Sequence, residues 1–309
     1  MFLVSLFCFL GFSVIRGDPA SLVAGTEATA QQIEALREEM GLNKNIFLRY
    51  FDWLSGFLAG NPGNSLRFRS EAISVIIADR IWVTFSLALF SLFFVLLISV
   101  PVSILTVRNE ESFFNRLVNS IVNFLTAAGI SAPGFFLGLL FIFIFGFTMK
   151  LFIPGTFTGY KENFLGFLGC LVFPSLAIAI PNSAFLIKFL RGSLFQELHS
   201  DYVRTAKSKG AGRLYIMRRH ILKNACLPAV TAFGMIIAEV FSGSIVIEQV
   251  FTIPGIGRLL ITAISSRDYP LIQTLMVYIA FIVILANTLA NIVVMIIDPR
   301  IRQSNRENI

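Results

Sequence analysis

From Ile81 to Val107 the chain carries no charged side chain, and the same holds from Leu117 to Met149, Asn163 to Ile187 and Leu271 to Ile297. A further apolar run, Ala225 to Ile247, contains one acid, Glu239. Crossing a bilayer takes about 20 mostly apolar residues in a helix. In lipid, every backbone polar group must be satisfied inside the segment, so repeated runs of this length select a bundle of helices. Charged residues make up 14% of the 309 residues, against about 25% in soluble domains. The expected fold is all-α, a polytopic membrane bundle.

Met1 to Ile15 is also apolar but short. It has neither a basic leader nor a small-x-small cleavage site, so it reads as a first transmembrane helix over 1–16 and not a signal peptide. That helix either lacks its beginning here or is completed by Arg16 snorkelling. Six spans result. Residues 17–79 are polar and of mixed charge. Thr29 and Gln32 have capping-box spacing. Ile33, Leu36 and Met40 then share a face, with Gly41 as the stop. A second helix is expected over Ile46–Leu58, and Asn61-Pro62-Gly63-Asn64 is a turn. This segment reads as a small extracytoplasmic helical lobe, with an interfacial helix pair as the rival.

The net charge of +7 is placed, not spread. Between Lys188 and Lys223 nine cations face only Glu197 and Asp201, which accounts for all of it. Such an excess marks a cytoplasmic loop and not a nucleic-acid surface. With six spans, both termini share that side, and the tail 298–309, beginning Asp298-Pro299-Arg300, is cytoplasmic too. The loop, 188–224, is far longer than a span connection needs. Its helix formers are broken at Gly210 and Gly212, so it reads as a helix–glycine–helix hook. An ordinary positive-inside loop is the bland alternative.

Inside the spans, Gly129-Ile130-Ser131-Ala132-Pro133-Gly134 frees backbone groups that lipid cannot satisfy. Such breaks face protein or a water-filled path, so Ser131 and Pro133 are pathway candidates, or else mark a packing kink. Glu239 costs about 2.5–3.5 kcal/mol at a bilayer centre, and is expected to face the bundle or be protonated. It is a third pathway candidate, with a packed, neutral carboxyl as the alternative. Asn287 and Asn291, one turn apart, can hydrogen-bond across helices.

Enzyme chemistry is not encoded in recognisable form. There is no phosphate loop, no Gly-x-Gly-x-x-Gly after a strand, no His-Glu-x-x-His and no Gly-x-Ser-x-Gly. Cys8, Cys170 and Cys226 lie in or beside apolar runs and read as filler. His199 and His220 both fall in the hook and read as surface residues. No cofactor and no metal site is expected.

The hook carries one further pattern. Arg204-Thr205-Ala206, then Gly210, then Leu227-Pro228, with Arg219-His220 and Lys223-Asn224 between, resembles the cytoplasmic loop of ABC-importer permeases. The longer spacing to Leu-Pro is similar to the dipeptide/oligopeptide/nickel branch. Arg204 stands where the general motif has Glu, and His220 where it has an apolar residue. Gly17-Asp18-Pro19, the stretch Phe251-Thr252-Ile253-Pro254-Gly255-Ile256-Gly257 and Arg267-Asp268-Tyr269-Pro270 extend the likeness over most of the chain. The resemblance implies a type I importer permease domain over 80–297 in the cytoplasmic (inner) membrane. Its partners would be a second related permease, two ATPase subunits, an extracytoplasmic binding protein and membrane lipid. The ATPase-coupling residues would be Tyr202, Arg204, Thr205, Ala206, Gly210, Arg219 and Pro228. The cargo would be di- or oligopeptides. Nickel is the alternative, which the scarcity of His and Cys disfavours. The rival classes are a passive channel, which needs no hook, a membrane-embedded enzyme, which would need a polar constellation at one depth, and a non-transporting membrane scaffold.

Overall fold

A computed structural model describes residues 2–14, 20, 29–39, 43–68, 71–107 and 113–297. Arg16, Gly17-Asp18-Pro19, Met40, Gly41, the start of the 108–116 loop and the tail from Asp298 lie outside them. Among the described residues the regular structure is helical: α1 (Phe2–Val14), α2 (Ala30–Glu39), α3 (Ile46–Leu58), α4 (Ile73–Val107), α5 (Phe113–Ser131), α6 (Gly134–Phe141, continued as a π-helix over Ile142–Thr148), α7 (Phe164–Leu198), α8 (Asp201–Ser208), α9 (Arg213–Ile216, continued as a π turn over Met217–Ile221), α10 (Leu222–Val250), α11 (Ile256–Ser265) and α12 (Tyr269–Ile297). Four helices are long and apolar enough to cross a membrane, and α5 with α6 makes a fifth if the bent pair is one span. The sixth expected span, α1, has 13 helical residues, about 20 Å, short of the ~30 Å hydrocarbon core.

The chain divides into two compact units, with the boundaries within α4, between α10 and α11, and within α12. The first takes residues to Thr84 and Pro254–Ile282. Its core is Ile73, Ile76 and Ile77 of α4 against Leu259, Leu260 and Ala263 of α11 and Leu271, Ile272 and Leu275 of α12. α1 packs on α3 through Phe9 and Tyr50, whose rings meet edge-on at 5.4 Å. The Tyr50 hydroxyl also shares a 2.8 Å hydrogen bond with Ser5.

The expected capping box forms: the Thr29 N–H donates to Gln32 Oε1 at 2.9 Å and the Gln32 N–H to Thr29 Oγ1 at 3.4 Å. Asn45 caps α3 by accepting from the Phe47 N–H. After the Asn61–Asn64 turn, the buried Asp268 carboxylate ties residues 65–68 to the start of α12. It accepts from the Ser65 hydroxyl (2.5 Å), the Arg67 N–H (3.1 Å) and the Leu271 N–H (3.3 Å).

α4 starts at Ile73, eight residues before the expected uncharged span. Its 35 residues make a rod of about 52 Å, which outruns the hydrocarbon. Asp79 and Arg80 therefore lie inside the helix but before the apolar run, in the part of the rod that exceeds a hydrocarbon thickness.

The second unit holds Phe85–Ile253 and the rest of α12. α7 is its centre, packed on α10, α5 and α6. Without a hydrophobic drive between helices in lipid, close approach comes from small residues. A Cβ at Gly129 would lie 2.9 Å from Ala184 Cβ, and one at Gly134 3.3 Å from the Ala177 carbonyl. Gly138 is closed in by Val250, Phe251 and Ile247. The break at Ser131–Pro133 bends the α5–α6 pair by 102°. Pro133 has no N–H to strand, and its extended backbone (φ −62°, ψ 138°) starts α6 afresh.

Candidate functional site: the cationic hook and the polar positions of the bundle

Two residues, His199 and Ser200, separate α7 from α8, so the hook springs directly from the long central helix. Asp201 in the first turn of α8 and Lys207 in the last both suit the helix dipole. Val203 is fully buried and anchors the helix, with Tyr202 and Ala206 half-buried. Arg204, Thr205, Lys207 and Ser208 are exposed.

The end of α8 is a complete Schellman motif. The Ala211 N–H bonds the Ala206 carbonyl (3.1 Å) and the Gly210 N–H bonds Lys207 (3.0 Å), with Gly210 at φ +80°. Nothing lies within 4 Å of a Cβ built on Gly210. The glycine is therefore required by backbone sterics and not by space. The return arm is α9 with its π turn, an insertion often found at functional sites.

The arms meet through aromatic rings. His220 lies 6.3 Å from Tyr202 and 5.9 Å from Tyr215, centroid to centroid. The Tyr202 hydroxyl donates to Glu197 Oε2 at 2.5 Å. Burial first, and the adjacent carboxylate second, push the Tyr202 phenol above its ordinary value, so it stays a donor.

Of the residues expected to act together, only Tyr202 and Ala206 are half-buried, and the ring that Tyr202 meets is that of His220, which stands outside that set. Arg204, Thr205, Gly210 and Arg219 are exposed along the hook, and Pro228 is exposed in the second turn of α10. The cations Arg204, Lys207, Lys209, Arg218, Arg219 and Lys223 make no ion pair among the described residues. Two cations counted with the loop belong elsewhere. Lys188 and Arg191 lie within α7, and Arg191 is buried against α5. Charge counting could not have found this; only Asn119 and Asn123, spaced one turn apart on α5, hinted at it.

Ser131 is exposed and its hydroxyl donates back to the Ala127 carbonyl at 2.9 Å. Pro133 is exposed at the joint. Glu239 is exposed on α10, and this chain's own bundle does not enclose it. Asn287 and Asn291 are likewise exposed on α12. A cavity of about 220 Å³ opens at the other end of α7, walled by Phe152, Phe157, Phe173 and Phe251.

The model for binding-protein-dependent transport system inner membrane components matches residues 99–303, and the N-terminal model for membrane components of such systems matches residues 1–88. A probable peptide ABC transporter permease protein, y4tP of Sinorhizobium fredii, is 33% identical over 98% of this chain and 95% of its own. The oligopeptide transport system permease protein AppB of Bacillus subtilis is 30% identical, covering 96% of this chain and 94% of its own. In fold, the chain is similar to a chain of the MetNI methionine ABC transporter in an inward-facing conformation. The TM-score is 0.54 at 19% identity, over 70% of this chain and 94% of that one. Long apolar helices, a cationic hook springing directly from one of them, and family models matching nearly end to end lead to one assignment: the chain belongs to the family of binding-protein-dependent transport system inner membrane components, multi-pass proteins of the inner membrane.

Proposed function

We propose that this chain is one of two related permease subunits in an ATP-driven importer of di- or oligopeptides. Two ATPase subunits on the cytoplasmic side and an extracytoplasmic binding protein complete the assembly. The observation that carries this reading is the hook: a bend whose described cations are exposed and make no ion pair among the described residues, joined to α7 by two residues. A chain with no phosphate loop must take its energy from another, and a rigid bend on a membrane rod is a lever for doing so.

In this scheme α8 seats in a groove on an ATPase subunit. Arg204 and Arg219 pair with acids there, Ala206 allows close approach, and Gly210 fixes the angle between the arms. Tyr202 and Thr205 support α8, and Pro228 marks where the return arm enters the membrane. ATP-driven closure pushes the hook and rocks the bundle between two states. Both termini lie in the cytoplasm. Glu239 is too costly to leave facing lipid. It faces the second permease or a water-filled path, which Ser131 and Pro133 also line. The peptide relatives favour peptide cargo, and hydrolysis belongs to the partner chains.

The test is uptake into proteoliposomes carrying the four membrane and ATPase chains plus binding protein, with labelled peptides and Ni²⁺ compared. ATP-dependent peptide uptake is expected. ATP-independent flux would favour a channel, and Ni²⁺ uptake alone would replace the cargo. Gly210→Pro should assemble yet fail to transport.

A further inference from the structure

The cavity at the end of α7 away from the hook plays no part in the coupling scheme. It holds about 220 Å³. A dry apolar cavity of about 150 Å³ takes a benzene molecule, and pockets for whole drug-sized ligands begin at roughly 300 Å³. The space therefore fits one residue-sized group and not a whole peptide. Two glycines in the lining help keep it open. A Cβ built on Gly169 meets nothing within 4 Å, and one on Gly155 meets only Thr252 Oγ1, at 3.6 Å.

Its chemistry is one-sided. Phe152, Phe157, Phe173 and Phe251 wall it, with Phe152 stacked on Phe173 at 4.9 Å and 6.3 Å from Phe251. Among the described residues no charged side chain lines it. Its spare polar atoms are acceptors. Pro174 has no N–H, so the Cys170 carbonyl, one turn earlier in α7, lacks its ordinary helical donor, and both residues line the cavity. Thr156 spends its hydroxyl proton on the Ile153 carbonyl at 2.8 Å, which leaves the oxygen lone pairs to accept. The N–H groups of Leu151, Thr156 and Ile253 are already bonded to the Phe145, Ile153 and Glu248 carbonyls. Ring faces and spare acceptors suit a cation that donates hydrogen bonds, whereas a carboxylate finds no cation here.

The wall is also held under strain. Thr252, between Phe251 and Ile253, has φ +57°, and Lys150, just before Leu151, has φ +53°. A β-branched residue rarely adopts that conformation, and such strain gathers at ligand clamps.

We propose that this cavity is a subsite for an alkylammonium group, the N-terminal ammonium of the peptide cargo together with its first residue. The ammonium lies against phenyl faces and donates to the Cys170 carbonyl and the Thr156 hydroxyl oxygen. An N-terminal ammonium is the cation that every unblocked peptide carries whatever its sequence, so one small pocket serves varied cargo. The subsite rests on the import reading above, which supplies the peptide.

The test uses the whole transporter in proteoliposomes, with Cys8 and Cys226 replaced by serine so that Cys170 is this chain's only thiol. Its modification by methyl methanethiosulfonate, a small neutral reagent, is followed by mass spectrometry. Trialanine amide, with a free ammonium, should slow the reaction several-fold and saturably; N-acetyl-trialanine amide should not. Gly169→Leu fills the space and should erase that difference with assembly kept. Phe152→Leu keeps the wall apolar but removes a ring face, and should narrow the difference; it decides alone if Gly169→Leu fails to assemble. Equal protection by the two peptides would make the cavity merely apolar and overturn the ammonium assignment. So would protection by neither, a difference that both variants leave intact, or a thiol that reacts only once lipid is stripped, which would give the cavity to an acyl chain. If the free-amine peptide protects Cys170 yet ATP drives no peptide uptake, the import reading fails and the ammonium site stands.

Discussion

Replacing Asp268 should loosen the first unit by an amount the structure sets. The carboxylate is 1% exposed, and so is Ser65, which donates to it. Oδ2 accepts from the Ser65 hydroxyl and the Arg67 N–H, and Oδ1 accepts from the Leu271 N–H in the first turn of α12. Asp268→Ala strands all three donors. Leaving a buried donor unsatisfied costs about 1–3 kcal/mol, and losing a helix cap about 0.5–2 kcal/mol. The Arg67 N–H is only partly buried and finds water, so it adds least. A total of about 1.5–5 kcal/mol follows, because Ser65 and Leu271 dominate.

Asp268→Asn keeps one acceptor and turns an N–H₂ toward the other donors, for about half that loss. Ser65→Ala alone should cost about 1–2 kcal/mol, and the double variant should show a coupling of about 1–3 kcal/mol. Amide exchange at Arg67 and Leu271 in detergent reads these differences site by site. If Asp268→Ala slowed or left unchanged the exchange at both amides, or if the Ser65 and Asp268 effects simply added, the tie between residues 65–68 and α12 would be wrong.

Other outcomes follow from single contacts. Gly210→Ala places a side chain at φ +80° and should cost about 1–2 kcal/mol of hook order, whereas Gly210→Asn should be nearly tolerated; uptake by the two variants should rank accordingly. Gly129→Val drives atoms into Ala184 and should destabilise by about 1–3 kcal/mol, with Ala184→Gly restoring much of it in a thermal-melt series. Tyr202→Phe removes the bond to Glu197. Because the phenol is raised in the folded hook, its contribution is complete below the ordinary tyrosine value near 10 and fades as pH rises through the higher folded value. Proteolysis of the wild-type hook should therefore accelerate above about pH 10, and Tyr202→Phe should lack that step.

The four long spans and the bent α5–α6 pair were legible because lipid imposes so plain a composition, whereas the expected first span, α1, has only 13 helical residues. The Thr29–Gln32 cap and the Gly210 bend were legible because each rests on one local steric or hydrogen-bond rule. The early start of α4 was not, since Asp79 and Arg80 break an uncharged run without breaking a helix. The glycines and proline near Ser131 signalled an interruption, yet the 102° angle comes from where Gly134 and Gly138 find room on α7 and α10. Arg191 was hidden among its cationic neighbours, because burial depends on which face of α7 meets α5. The exposure of Glu239, Asn287 and Asn291 was not legible, because which face of a helix its own chain covers depends on packing and not on the residue's polarity.

The proposed import mechanism requires the bend around Gly210 to be gripped in the cytoplasm by a nucleotide-hydrolysing partner. A cysteine placed at the exposed Thr205, in a chain whose Cys8, Cys170 and Cys226 have been replaced, measures this directly in native membranes. A cross-link to a phosphate-loop ATPase, weakened or strengthened by ATP, is expected, with no labelling by an impermeant thiol reagent added outside. Labelling from outside, with no ATPase adduct under any nucleotide condition, would contradict it.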